Sequence, residues 1–116
     1  MGRFAGDWVT VACLGTCAAT SRHEVATDGV YLRQASGTQV AYLAEGPGLL
    51  REMGGSARLV IMWVDDGFRT AAIGDADGSW AAVIDRRKNA SRDRKRAAIE
   101  ILDFYGWDVA KLKDGQ

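Results

Sequence analysis

Apolar and polar positions alternate along much of the first 86 residues, and only beyond them does the spacing change to three and four. Residues 6–13 read as a first strand that Gly15-Thr16 ends. Residues 22–27 and 29–34 flank Asp28-Gly29, a pair suited to a tight hairpin turn. A strand over 38–44 follows, with Val40 and Tyr42 on one face and Gln39, Ala41 and Leu43 on the other. Residues 46–55 hold Pro47 between two glycines and read as a loop with a frayed edge strand at Leu49-Leu50-Arg51. Residues 58–64 are almost continuously apolar, as in a strand covered on both faces, and Asp65-Asp66-Gly67 closes them. Residues 68–74 and 79–86 form a hairpin across Asp75-Ala76-Asp77-Gly78.

Beyond that hairpin, Asn89 or Ser91 offers a side-chain oxygen to the first free amides of a helix. Ala97, Ala98, Ile101, Leu102 and Tyr105 then make one apolar stripe over residues 91–105. Gly106 ends the helix as a left-handed cap, and residues 107–112 are long enough to rejoin the sheet. Strands followed by a single helix predict a mainly β domain, a sheet or barrel with the helix packed outside. At 116 residues and 47% hydrophobic composition the chain is expected to form one domain over residues 1–116 with a substantial core. Fourteen glycines and one proline suit tight turns between strands and argue against an all-helical fold.

The formal net charge is zero, which argues against nucleic-acid binding through overall charge. The distribution is uneven: Arg86, Arg87, Lys88, Arg92, Arg94, Lys95 and Arg96 face the single anion Asp93. The plain reading is a solvated helix start. The functional alternative is contact with an anionic membrane surface, and no nucleic-acid partner is expected because aromatic residues are not interleaved among the cations. No run approaches the roughly 20 apolar residues of a membrane span. No charged start precedes an apolar stretch either, so the chain is expected to be soluble and without a signal peptide.

Cys13 and Cys17 are the only cysteines. On a straight strand they would lie about 13 Å apart at roughly 3.3 Å per residue, too far to bridge, so only a loop turning at Gly15 joins them; the unbridged state is the expectation. His23 is the only histidine and has no partner set with zinc spacing, so no metal site is expected. A Cys17-His23 nucleophile and base is weighed and set aside for a surface histidine beside a buried cysteine. Asp75-Ala76-Asp77-Gly78 opens like a calcium loop but lacks the later ligands and is read as a turn. No phosphate loop or nucleophile elbow occurs, so neither catalysis nor a cofactor is expected. Tyr42, Met62, Trp63 and Trp80, with Ile84 on the last strand, are expected to converge inside the barrel, as core or as the wall of an apolar ligand site.

With these residues in view, the chain resembles the lipocalins, specifically the bacterial lipocalin and apolipoprotein D-like branch. Gly6-Asp7-Trp8 matches the Gly-x-Trp signature of the opening strand. Asp65-Asp66-Gly67-Phe68 resembles the acidic turn Asp-x-Asp-Tyr, with Gly67 and Phe68 as departures, and Arg86 falls where the family ends its last barrel strand on arginine. Gly106-Trp107-Asp108-Val109-Ala110-Lys111-Leu112 is similar to the branch's closing Gly-Tyr-Asp-x-x-x-Leu. The match covers residues 60–112, while residues 1–59 rest on Gly-x-Trp.

The resemblance implies an antiparallel up-and-down barrel with one external helix. It also implies binding or transport of a small hydrophobic ligand, such as a fatty acid or lysophospholipid, without catalysis. Gly6, Trp8 and Arg86 would form the barrel base, with the guanidinium over the indole. A periplasmic or outer-membrane-associated location comes from the same source, whereas a homodimer is what the alternative reading below would give. The segment between Ala44 and Arg58 is short for a middle hairpin, which predicts a missing strand or an open mouth. The alternative is an interaction module that fills its own core and associates through a sheet edge or the basic helix.

Overall fold

The structure, a computed structural model, describes residues 2–115. Eight antiparallel strands form a closed ring: β1 Gly6–Leu14, β2 Thr20–Val25, β3 Tyr31–Ala35, β4 Thr38–Gly46, β5 Leu49–Glu52, β6 Arg58–Val64, β7 Thr70–Asp75 and β8 Ala81–Asp85. Each pairs with its sequence neighbours, and β1 closes the ring by pairing β2 from Gly6↔His23 to Val9↔Thr20 and β8 from Val9↔Asp85 to Leu14↔Ala81. The barrel is complete, so the expected missing strand is a correction. A turn at Pro47-Gly48 suffices to join β4, which runs on to Gly46, to the four-residue β5. The segment expected as a frayed edge is therefore paired on both sides, to β4 and to β6.

Two bulges decide which side chains point inward. In β1 the register shifts between Thr10 and Ala12, and in β6 between Ile61 and Trp63. An extra residue in a strand reverses the alternation beyond it. In β6, Leu59, Ile61 and Val64 consequently join the inner core, while Met62 and Trp63 both pack on the outer face. Val11, Ala12 and Leu14 of β1 likewise face outward. The inward placement expected for Met62 and Trp63 is thus corrected, because simple alternation does not survive the bulge.

Cys13 and Cys17 are bridged, with Cα atoms 6.0 Å apart, contrary to expectation. β1 ends at Leu14 and Gly15 adopts φ +78°, which folds the chain back over the rim. A Cβ at Gly15 would lie 2.4 Å from the Ser79 carbonyl, so only glycine lets this loop approach the β7–β8 turn.

Helix α1, Arg92–Phe104, starts at Ser91, whose hydroxyl accepts from the Arg94 N–H at 3.4 Å. It lies across the outer face of β6, β7 and β8, burying Ala98 and Leu102 against Val11, Ala72, Ala81 and Val83. Arg94 adds a polar clasp: its Nε donates to Thr70 Oγ1 at 2.8 Å, and Thr70 donates to the buried Asp85 carboxylate at 2.5 Å. The stripe ends sooner than expected. Tyr105 is 55% exposed and Phe104 85%, because the chain leaves the helix there and turns at Gly106, φ +95°. Trp107 packs in that place, its amide donating to the Leu102 carbonyl at 3.1 Å. A short β9, Lys113–Asp114, then pairs with Ala12 and Cys13 of β1, on the stretch that β2 does not cover.

The basic run is divided by this packing. Arg86 turns to the barrel base, Arg94 to the wall, and Lys95 pairs with Asp114 at 2.9 Å, while Arg87, Lys88, Arg92 and Arg96 remain exposed.

Leu102→Ala should cost about 2–4 kcal/mol by opening a cavity under the helix, whereas Tyr105→Ala should stay within about 0.5 kcal/mol. Urea unfolding of both variants checks this, and equal losses would mean that the helix face is assigned wrongly.

Candidate functional site

The two barrel ends differ in chemistry. The turns at 26–30, 47–48 and 65–69 gather at one end with a short 3-10 turn, Gly2–Phe4, while the 15–19, 36–37, 53–57 and 76–80 connections gather at the other.

The first end is closed. The Arg86 guanidinium lies 3.8 Å from the centre of the Trp8 ring, and Phe4 stacks on Trp8 with centroids 4.5 Å apart. Arg86 also donates to four carbonyls: Phe68 at 3.0 Å, Ala5 at 3.0 Å, Asp7 at 3.2 Å and Arg3 at 2.9 Å. It thereby ties the N-terminal turn, β1 and the β6–β7 turn together. Gly6 makes this possible: its φ is +110°, and a Cβ there would stand 3.1 Å from the Arg86 guanidinium. The β6–β7 turn is set by Asp65, which accepts the amides of Arg69 at 2.6 Å, Thr70 at 2.7 Å and Gly67 at 3.3 Å. Burial opposes ionisation of Asp65, but those amides together with the Arg69 guanidinium outweigh it and hold the carboxyl below its usual range.

Above the base lies a buried polar chain. His23 makes hydrogen bonds with Ser21 Oγ at 2.9 Å and Tyr31 Oη at 2.6 Å. Burial, reinforced by the charges of Arg33 and Arg86, lowers the His23 pKa to about 3, so the ring is neutral near pH 7. Burial likewise raises the Tyr31 phenol. These groups are satisfied by one another and hold the filled lower half of the barrel together with Phe4, Trp8, Leu50 and Ile84.

The second end is open. A recess of about 270 Å³ lies between the 15–19 loop and the β3–β4 hairpin, bounded by Cys17, Arg33, Val40 and Trp80 with Ser36 and Thr38 at the rim. The Arg33 guanidinium sits 5.0 Å over the Trp80 ring. Tyr42 lies below, its phenol raised by burial against the opposing charge of Arg33. Asp75 of β7 and Glu52 of β5 stand at the same end on either side of β6; burial, with the neighbouring Asp77 and Glu52 charges adding to it, outweighs the Asp77 amide and raises the Asp75 carboxyl.

The five residues expected to line one apolar site are divided among three places. Trp80 walls the mouth recess, and Tyr42 and Ile84 are buried in the inner core. Met62 and Trp63 border a separate crevice of about 550 Å³ on the barrel flank, with Ile61, Val64, Phe68 and Tyr105. Gly6, Trp8 and Arg86 meet at the base. Arg33 and Phe4 were not singled out from the sequence, and His23, expected at the surface, is instead fully buried between Ser21 and Tyr31. The signal for Arg33 was there: it shares the alternation of Tyr31 and Ala35, so it points inward if they do.

Eight antiparallel strands closed into a barrel, with one helix outside and an arginine–tryptophan base, define a lipocalin-like fold. Among solved structures the chain is similar to apocrustacyanin C1, with a TM-score of 0.63 and 13% sequence identity over 98% of this chain and 77% of that one. No protein-family model matches the chain, and no curated protein matches it. At 13% identity the likeness concerns the fold.

In a double-mutant cycle, Trp8→Ala and Arg86→Ala should each cost about 2–4 kcal/mol, with a coupling of about 0.5–2 kcal/mol between them. Additive losses would mean the stack contributes nothing. Acid should also act through His23. With an ordinary pKa of about 6.5 in the unfolded chain and about 3 in the folded one, only the unfolded chain takes up the proton in between. Stability should be full above pH 6.5 and fall towards pH 3, by at most about 1.4 kcal/mol per pH unit. His23→Gln should flatten that part of the stability–pH curve, measured by denaturant unfolding.

Proposed function

We propose that the protein binds a small hydrophobic ligand in the mouth of the barrel and releases it unchanged. The observation that carries this reading is the asymmetry of the two ends: one sealed by Arg86, Trp8 and Phe4, the other opening through an aromatic and aliphatic recess at Trp80, Val40 and Cys17. Burial of an apolar ligand there would supply about 25 cal/mol per Å² removed from water. The recess, at about 270 Å³, falls just below the usual range of ligand-site volumes, roughly 300–1,000 Å³, and the lower barrel is already filled by side chains. That favours a compact molecule or a short fatty acid over a full-length acyl chain or a lysophospholipid.

The filled lower barrel also supports a second reading, an interaction module with no ligand. It would associate through exposed surface such as Phe104 and Tyr105, since the closed ring leaves no missing-strand edge. Placement in the bacterial lipocalin branch, with its periplasmic or outer-membrane location, rests on the motif resemblance at Asp65-Asp66-Gly67-Phe68 and at Gly106-Trp107-Asp108 through Leu112.

Titration with the neutral probe N-phenyl-1-naphthylamine should raise probe fluorescence, quench tryptophan emission and raise the melting temperature in proportion to ligand occupancy. Ala35→Trp, which fills the recess from the rim, should abolish all three. Absence of any response in the parent protein, or an unchanged response in Ala35→Trp, would favour the interaction module.

A further inference from the structure

We infer that the barrel mouth contains a seat for a carboxylate, with Arg33 as its cationic wall and Trp80 as its apolar one. On the proposal above, on which this inference rests, the ligand would then be a compact apolar acid.

Among the described residues, Arg33 is the arginine turned into the barrel with a buried nitrogen, Nε, that lacks a hydrogen-bond partner. It stands on β3 opposite His23 of β2 and Val40 of β4, and its side chain turns inward onto Trp80. Among the described residues no carboxylate lies within ion-pair distance of it, and its Nε is the buried side-chain nitrogen with no hydrogen-bond partner. Other arginines turned towards the barrel are used: Arg86 holds four carbonyls, and Arg94 holds Thr70 beside Asp85. Guanidinium groups carry five N–H donors, and leaving a buried donor unpaired is costly. An unpaired donor that lines a recess is therefore a place where an acceptor from outside gains most.

The geometry selects the acceptor. Stacking on Trp80 covers one face of the guanidinium plane and Tyr42 stands against it from below, which leaves the Nε edge to a partner lying in that plane. A carboxylate fits by two parallel hydrogen bonds. Its apolar body would meet Trp80, Val40 and Cys17, and Ser36 and Thr38 at the rim offer hydroxyls to its outer oxygen. The acids at this end are engaged in their own turns, Asp77 accepting the Ser79 amide at 2.8 Å. Asp75 accepts the Asp77 amide at 3.2 Å, and the Glu52 carboxylate lies against Gly55. Asp75, Asp77 and Glu52 all stand beyond ion-pair distance of Arg33, so none of them occupies the guanidinium.

The test compares octanoate with octan-1-ol, which share an apolar body and differ in the head, by calorimetric titration at pH 8. The parent protein should bind octanoate at least about tenfold more tightly, as expected for hydrogen bonds to a charged group. Arg33→Gln should remove that preference while leaving octanol within twofold. Thr38→Glu replaces a rim hydroxyl by a carboxylate while keeping Arg33 and Trp80; it should weaken octanoate by much more than octanol, and it serves as the test if Arg33→Gln does not fold. Equal binding of the two by the parent protein, or a preference that survives Arg33→Gln or Thr38→Glu, would overturn the seat and leave the apolar-ligand reading standing. If neither ligand nor the neutral probe binds, both fall together.

Discussion

The fold depends on one guanidinium. Arg86 leaves the last barrel strand, covers the indole of Trp8 from the first, and donates to carbonyls of the N-terminal segment and the β6–β7 turn. A closed barrel must join its first and last strands and also keep water from the core at its base, and these contacts do both. The stacking itself contributes about 0.5–2 kcal/mol; the larger effect is that three separate chain segments share one ligand. Gly6 is the matching constraint, since its backbone conformation and the space it leaves both serve Arg86.

With the base closed, the rest of the molecule follows from how β1 and β6 divide their side chains. The bulges at Val11 and Met62 move apolar residues to the outer wall, which creates a second core. The helix exists to cover it, and Arg94, reaching Thr70 beside Asp85, fixes the helix start against the wall. The inner core then fills the lower barrel with Phe4, Trp8, Tyr31 and Tyr42, and its free volume is displaced to the mouth. Size and position of any ligand are set by that displacement.

Much of this was legible in the sequence, for physical reasons that can be named. The strand pattern, the last hairpin, the Ser91 cap and the Gly106 stop are local, each determined by side chains within a few residues. The Trp8–Arg86 base was legible only through the resemblance, because 78 residues separate the partners. Bulges were not legible: nothing in Ile61-Met62-Trp63 marks which residue is extra, so Met62 and Trp63 were expected inside. The Cys13–Cys17 bridge was missed because it needs the left-handed turn at Gly15, and the middle hairpin because Pro47-Gly48 makes so tight a turn. Arg33 was passed over since a charged residue in a half-exposed strand is ordinarily read as facing solvent.

Four tryptophans occupy four different environments: Trp8 at the base, Trp63 on the flank, Trp80 in the mouth and Trp107 under the helix. Their indole N–H resonances in a 15N-labelled sample therefore report where a ligand sits. On addition of octanoate the Trp80 resonance should move progressively to saturation while those of Trp8 and Trp107 hold still. Shifts at Trp63 without Trp80 would place the ligand in the flank crevice, and four unmoved resonances would contradict a ligand-binding mouth altogether.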